Sequence, residues 1–199
     1  MKDISLIAFD ADDTLWECQT YFASVEKEYC DLLKHYAPVE EVSQALFATE
    51  TANMELLGYG SKAFILSLLE NATQVSHGKL TSAEVIAIIK MGKSLLQLPG
   101  KPLEGVVTTM EKLHRSGLYR LVVFTKGELL DQESKFYRSG LRTYFDDFIV
   151  VSDKTPKAYE RLCEQFGIGI EELLMVGNSF KSDVEPVLKL GGWAVHIPF

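Results

Sequence analysis

Hydrophobic and polar positions change their period twice along the chain. Ile4-Ser5-Leu6-Ile7-Ala8-Phe9 is a short apolar run that ends at acidic residues. That pattern predicts a buried parallel strand whose C-terminal end opens into a loop. From residue 21 to 98 the spacing is helical, with predicted helices over 21–36, 38–57, 61–75 and 81–96. Ala37-Pro38, Gly58-Tyr59-Gly60 and His77-Gly78 break the pattern, while Pro38 and the box Thr81-Ser82-Ala83-Glu84 mark helix starts.

Pro99-Gly100-Lys101-Pro102 punctuates the chain. Beyond it strands and helices alternate. Helices are predicted over 103–115 (stopped by Gly117), 128–138, 156–166 and 182–190, and strands over 119–124, 148–151, 173–176 and 193–197. Repeated strand-helix units imply a parallel sheet with helices on both faces. The first strand belongs to that sheet. The expected fold is therefore α/β, a Rossmann-like parallel sheet core with an inserted all-helical domain.

Charge changes the picture in one respect. Asp and Glu total 28 against 20 Lys and Arg, a net charge of -8. Such a chain does not draw polymeric nucleic acid or an anionic membrane as a whole, so an anionic substrate would need a bound cation and a few placed lysines. Cys18, Cys30 and Cys163 lack metal or redox spacing and read as free thiols in a reducing cytoplasm. No apolar run is long enough to span a bilayer, and Met1-Lys2-Asp3-Ile4-Ser5 enters the first strand without a cleavable signal pattern. The four histidines, His35, His77, His114 and His196, are far apart and read as structural or surface residues.

Ligands of such sheets bind outside the carboxyl ends of the strands. The predicted strands end in Asp10-Ala11-Asp12-Asp13-Thr14, Thr125-Lys126-Gly127, Ser152-Asp153-Lys154 and Gly177-Asn178-Ser179, with Asp183 shortly beyond. An Asp-x-Asp-x-Thr string arises by chance in roughly 3% of chains this long, so the convergence of four strand ends counts for more than any one of them. Residues two apart at a strand end can point the same way. An ordinary carboxylate at Asp10 is ionised and nucleophilic at neutral pH. Asp12 can then protonate a leaving alkoxide, provided it carries a proton when the bond breaks. A loop of aspartates capping a helix would use the same residues.

Together these residues resemble the haloacid dehalogenase superfamily, in its phosphatase branch, over nearly the whole chain and through four ordered motifs. Asp10-Ala11-Asp12-Asp13-Thr14-Leu15 is similar to the first motif. The resemblance implies that Asp10 forms an aspartyl-phosphate and that Asp12 is the acid/base. Thr125, closing Leu121-Val122-Val123-Phe124-Thr125, is similar to the second motif, whose hydroxyl holds the transferring phosphoryl group. With the amides of Lys126 and Gly127 at a helix N-terminus it would make an anion site, though simple helix capping also suits a threonine. Lys154 is similar to the third-motif lysine, which neutralises both the nucleophile and the phosphate. Lys157, in Lys154-Thr155-Pro156-Lys157, is its rival.

Gly177-Asn178-Ser179-Phe180-Lys181-Ser182-Asp183 is similar to the fourth motif, which binds magnesium. The family's usual Asp is here Asn178, which offers a carbonyl oxygen without charge. The implied Mg2+ ligands are the Asp10 carboxylate, the Asp12 backbone carbonyl, Asn178, waters and phosphate, with Asp183 bound directly or through water. The helical block lies where the family carries a cap. This implies a core of residues 1–16 and 98–199, a cap of residues 17–97, and hinges at 15–20 and 98–102. In Gly58-Tyr59-Gly60-Ser61-Lys62, Tyr59 and Lys62 are the candidates for touching substrate; a plain interhelical turn would look the same. Trp16, Tyr21 and Phe22 suit packing at the hinge or lining of a pocket.

The implied activity is hydrolysis of a small phosphorylated metabolite. Phosphoryl transfer within a sugar phosphate, or a non-catalytic binding protein on the same fold, are the alternatives. The dehalogenases that give the family its name use no acid at the position of Asp12.

Overall fold

The computed structural model describes residues 3–199; Met1 and Lys2, inside the expected core span 1–16, lie outside the described residues. The chain divides into two compact units, Gln19–Leu98 and the pair of segments Met1–Cys18 and Pro99–Phe199. The first unit is helical, with α1 (Gln19–Leu33), α2 (Val39–Leu57), α3 (Ser61–Val75) and α4 (Ser82–Leu95). Its interior holds Tyr29, Leu33, Val42, Leu46, Leu68, Ala72 and Ile88, all fully buried. Thr81 caps α4 through the reciprocal box with Glu84 that the sequence predicts. The Tyr29 hydroxyl reaches Asn71 Oδ1 at 2.5 Å, which satisfies a buried polar group between α1 and α3.

The second unit carries β1 (Leu6–Phe9), α5 (Val106–Ser116), β2 (Arg120–Lys126), α6 (Leu129–Ser139), β3 (Asp147–Val151), α7 (Pro156–Phe166), β4 (Leu173–Gly177), α8 (Glu185–Leu190) and β5 (Trp193–His196). The strands form one sheet in the order β3-β2-β1-β4-β5, and every pairing is parallel. The parallel sheet expected from the strand-helix alternation is present. Alternate residues of β1 serve the two faces. Leu6 and Ala8 join Val122, Phe124, Met175 and, from α7 and α8, Tyr159, Leu162 and Val187. Ile7 and Phe9 join Leu121, Val123, Val176 and, from α5 and α6, Met110 and Phe136. A sheet covered on both faces needs near-continuous apolar strands, which is why β1, β2 and β4 read so clearly.

Several elements differ from the sequence expectation. β2 runs past residue 124 because Thr125 and Lys126 pair with Val150 and Val151 of β3; hydrogen bonding to a neighbour carries the strand beyond its apolar stretch. The helix expected over 182–190 opens as a π turn, Phe180–Val184, before α8 begins. The short 3-10 turns Leu141–Tyr144 and Ile170–Glu172 have no periodic signature and are additions. Cys18, Cys30 and Cys163 are free and buried. Among the described residues no helix is long and apolar enough to cross a membrane.

Leu6, at 0% exposure on the central strand, packs in one cluster with residues of β2, β4, α7 and α8. Leu6→Ala is expected to cost roughly 2–5 kcal/mol in chemical denaturation. Leu56→Ser, at a position 85% exposed, should stay within about 0.5 kcal/mol of the parent.

Candidate active site

β1 delivers Asp10 to the sheet edge while its backbone is still anchored. The Asp10 amide donates to the Val176 carbonyl at 2.9 Å. The chain then turns sharply. The Ala11 carbonyl accepts from the amides of Thr14, Leu15 and Trp16, and Asp13 takes a left-handed φ of 59°, a conformation Asp tolerates better than most residues. The Asp13 carboxylate accepts the Cys18 amide at 2.7 Å and closes the turn. Asp13 is therefore a builder of the loop, a part that its place in the acidic string does not reveal.

Asp10 is buried, at 7% exposure. Lys154 Nζ donates to Asp10 Oδ1 at 2.5 Å and to Asp183 Oδ1 at 2.6 Å. Thr14 Oγ1 donates to Asp10 Oδ2 at 3.3 Å. Lys157, the rival lysine, is exposed on the first turn of α7 and takes no part in this cluster. Burial pushes the Asp10 carboxyl up to about 6; Lys154 opposes the shift, and Asp183 and Asp12 add to it. The ordinary carboxylate expected from the sequence is thus altered, because desolvation outweighs the ammonium beside it. At neutral pH the group is still mostly ionised.

The π turn aims Asp183 back at β4. The Asp183 amide donates to the Ser179 carbonyl at 2.7 Å, and the Ser179 amide donates to Asp183 Oδ2 at 2.9 Å. Tyr159 of α7 pins this turn from below, its hydroxyl donating to the Ser182 carbonyl at 2.7 Å. A Cβ on Gly177 would lie 2.3 Å from Asp183 Oδ2, so the fourth motif needs its glycine for room. Asn178 is half-buried at the end of β4, and its backbone carbonyl meets His196 Nε2 at 2.9 Å.

The expected phosphate-binding groups, Thr125, Lys126 and Gly127, lie at and just beyond the end of β2. Thr125 lies inside β2, buried at 1% exposure, and it does not cap a helix, since α6 starts after Glu128. Lys126 Nζ donates to Ser182 Oγ at 3.1 Å and so links the ends of β2 and β4. The Gly127 amide, expected as an anion donor, instead donates to the Val151 carbonyl at 3.1 Å. What Gly127 supplies is space. It sits at φ 142°, and a Cβ there would lie 3.1 Å from Gln132 Nε2. Tyr59 and Lys62 belong to the helical unit, flanking the start of α3.

Asp12 turns to a different set of partners from Asp10. Trp16 Nε1 donates to Asp12 Oδ1 at 2.8 Å, Gln132 Nε2 to Oδ2 at 3.0 Å, and Lys135 Nζ to the two oxygens at 2.8 and 2.9 Å. Burial alone would lower the Lys135 ammonium, but Asp12, Cys18 and Asp131 outweigh it and hold its pKa above the ordinary lysine value. Neither Gln132 nor Lys135 was singled out from the sequence. The available signal was their position. They share the buried face of α6 with Phe136 and Ser139, where a polar residue needs a partner.

A family model described as haloacid dehalogenase-like hydrolase matches residues 4–191. The chain is 27% identical to the glyceraldehyde 3-phosphate phosphatase of Pyrococcus furiosus over 96% of its own length and 79% of that protein. Its fold matches the crystal structure of a haloacid dehalogenase-like family hydrolase from Xanthomonas campestris with a TM-score of 0.93 and 36% identity, covering 98% of this chain and 82% of that one. It also matches YfnB, a HAD-hydrolase from Bacillus subtilis described as bound to magnesium, with a TM-score of 0.70 and 14% identity, covering 98% and 89% of the two chains.

The raised Asp10 carboxyl carries a stability signature. A group whose native pKa lies above its unfolded value loses its favourable contribution as pH rises through the native value, here about 6. Asp10→Asn, which removes that group, should therefore raise the melting temperature at pH 8 by roughly 2–4 °C. The gain should shrink as pH falls toward 4. Thermal unfolding followed by circular dichroism across that range reads both the sign and the trend.

Proposed function

The chain belongs to the haloacid dehalogenase-like hydrolases, and from that membership we propose that it is a magnesium-dependent phosphatase acting on a small phosphate monoester through an aspartyl-phosphate on Asp10. One observation carries the reading: Asp10 is a buried carboxylate at the mouth of the central strand, held between Lys154 and Thr14. A carboxylate so fixed is a positioned nucleophile.

In the first step a carboxylate oxygen of Asp10 bonds to phosphorus as the phosphorus–oxygen bond to the leaving group breaks. Asp12 gives its proton to the departing oxygen. In the second step water attacks the phosphorus of the aspartyl-phosphate, Asp12 takes the water's proton, and Asp10 is regenerated with release of inorganic phosphate. Lys154 offsets charge on both Asp10 and the phosphoryl oxygens, and the Thr125 hydroxyl and Lys126 hold those oxygens. A dehalogenase has no need of the acid at Asp12.

The donor set suits magnesium. Among the described residues no three His, Cys, Asp or Glu side chains gather as a metal cluster. Asp10 and Asp183 meet on one ammonium, which leaves an excess of negative charge. Magnesium is commonly held by one or two carboxylates, with waters and substrate phosphate completing its octahedron. Asp10, the Asp12 backbone carbonyl, Asn178 and Asp183 would hold it here. Bound there, it would supply positive charge to the phosphoryl oxygens.

The Pyrococcus relative, named for glyceraldehyde 3-phosphate, supports a small phosphorylated metabolite as the substrate class. We assign the helical unit the part of a cap, with Tyr59 and Lys62 as its substrate-facing residues, and place the protein in the cytoplasm on its three buried free thiols.

Purified protein with magnesium is expected to release nitrophenol from an aryl phosphate and free phosphate, not an isomerised product, from members of a sugar-phosphate panel. Asp10→Asn should lower turnover by on the order of 10³-fold or more. Asn178→Asp, by adding a charged oxygen ligand, should lower the magnesium concentration giving half-maximal rate. A fully active Asp10→Asn would overturn the reading.

A further inference from the structure

Asp12 is bonded more heavily than a loop carboxylate needs to be. Trp16 Nε1 and Gln132 Nε2, both neutral donors, already serve its two oxygens. The Lys135 ammonium is added to them, with its side chain only 3% exposed. Burying a lysine is costly unless it is paired at close range with good geometry, and here it meets both Asp12 oxygens within 2.9 Å. Gln132 does a second thing: its Nε2 also lies 3.2 Å from Thr125 Oγ1 and 2.9 Å from the Lys126 carbonyl. The two Nε2 protons are accounted for by the nearer acceptors, Asp12 Oδ2 and the Lys126 carbonyl, so Gln132 ties Asp12 to the end of β2.

Two glycines let α6 approach this closely. A Cβ on Gly127 would crowd the Gln132 amide, and a Cβ on Gly100 would lie 2.5 Å from the Lys135 carbonyl. The face of α6 that carries Gln132 and Lys135 is thus fitted closely against Gly100 and Gly127, while its hydrogen bonds reach Asp12 in the loop after β1.

We propose that Gln132 and Lys135 are positioning residues that fix the Asp12 carboxylate for proton transfer to the leaving oxygen. The inference rests on the phosphatase reading above. Neither side chain is asked to exchange a proton with substrate. They act through Asp12, holding both of its oxygens in one orientation.

The test separates leaving groups. Nitrophenolate departs without a proton, whereas an alkoxide such as that of glycerol phosphate needs one. kcat/KM reports the steps through phosphoryl transfer from each. With magnesium present, Lys135→Met and Gln132→Met should keep kcat/KM for the aryl phosphate within about 3-fold and lose roughly 10–100-fold for the alkyl phosphate. Inhibition by inorganic phosphate should be unchanged. A parallel fall for the two substrates, or an unchanged ratio, would overturn the positioning role in favour of a structural one. If Lys135→Met does not fold, Gln132→Met decides the matter by the same ratio. Wild-type protein inactive on the aryl and alkyl esters alike would instead overturn the phosphatase reading itself.

Discussion

One buried ammonium set between two buried carboxylates holds the site together. Lys154 Nζ joins Asp10, at the end of β1, to Asp183, in the π turn after β4. The loops that carry these residues are far apart in sequence, so this contact fixes the register of three strand ends at once. Much nearby structure serves it. Gly177 leaves room for Asp183, and Tyr159 braces the π turn. Thr155 caps α7 directly after Lys154. Taking away the lysine would leave two like charges buried without their partner, a loss of about 3–5 kcal/mol for a broken buried pair.

A second lysine does for Asp12 what the first does for Asp10. Lys154 and Lys135 come from different segments, one from the loop before α7 and the other from α6. Each aspartate thus has its own ammonium, and the two carboxylates, with only Ala11 between them, need not share a counter-charge. Under the proposed chemistry this division is useful: one group must remain a nucleophile while the other handles a proton. It also answers the puzzle of an acidic chain with an anionic substrate. The net charge of -8 is a property of the whole, while Lys126, Lys135 and Lys154 are gathered where the strands end.

The fold was legible because its signals are local. β1, β2 and β4 are covered on both faces and therefore apolar over their central stretches, and α3 and α7 start and stop at residues with clear turn or capping chemistry. The strand ends pointed to Asp10, Thr125, Lys154 and Asp183 because topology gathers them whatever the intervening sequence. What stayed hidden depends on distant partners. Gln132 and Lys135 look like ordinary helix-surface residues until Asp12, 120 and 123 positions away, is brought to them. The Gly127 amide looks like an anion donor until β3 claims it. A π turn leaves no periodic trace, so Asp183 appeared to sit in a regular helix.

The central claim is that Asp10 becomes phosphorylated during turnover, and chemical trapping tests it most directly. Acid quench during steady-state hydrolysis of an alkyl phosphate with magnesium, followed by borohydride, reduces an acyl phosphate to the alcohol. Peptide mass spectrometry then locates the reduced side chain. The account predicts conversion of Asp10 to homoserine, dependent on both substrate and magnesium. Phosphate release with no reduced residue at Asp10, or with the label on Asp12 or Asp183, would contradict it.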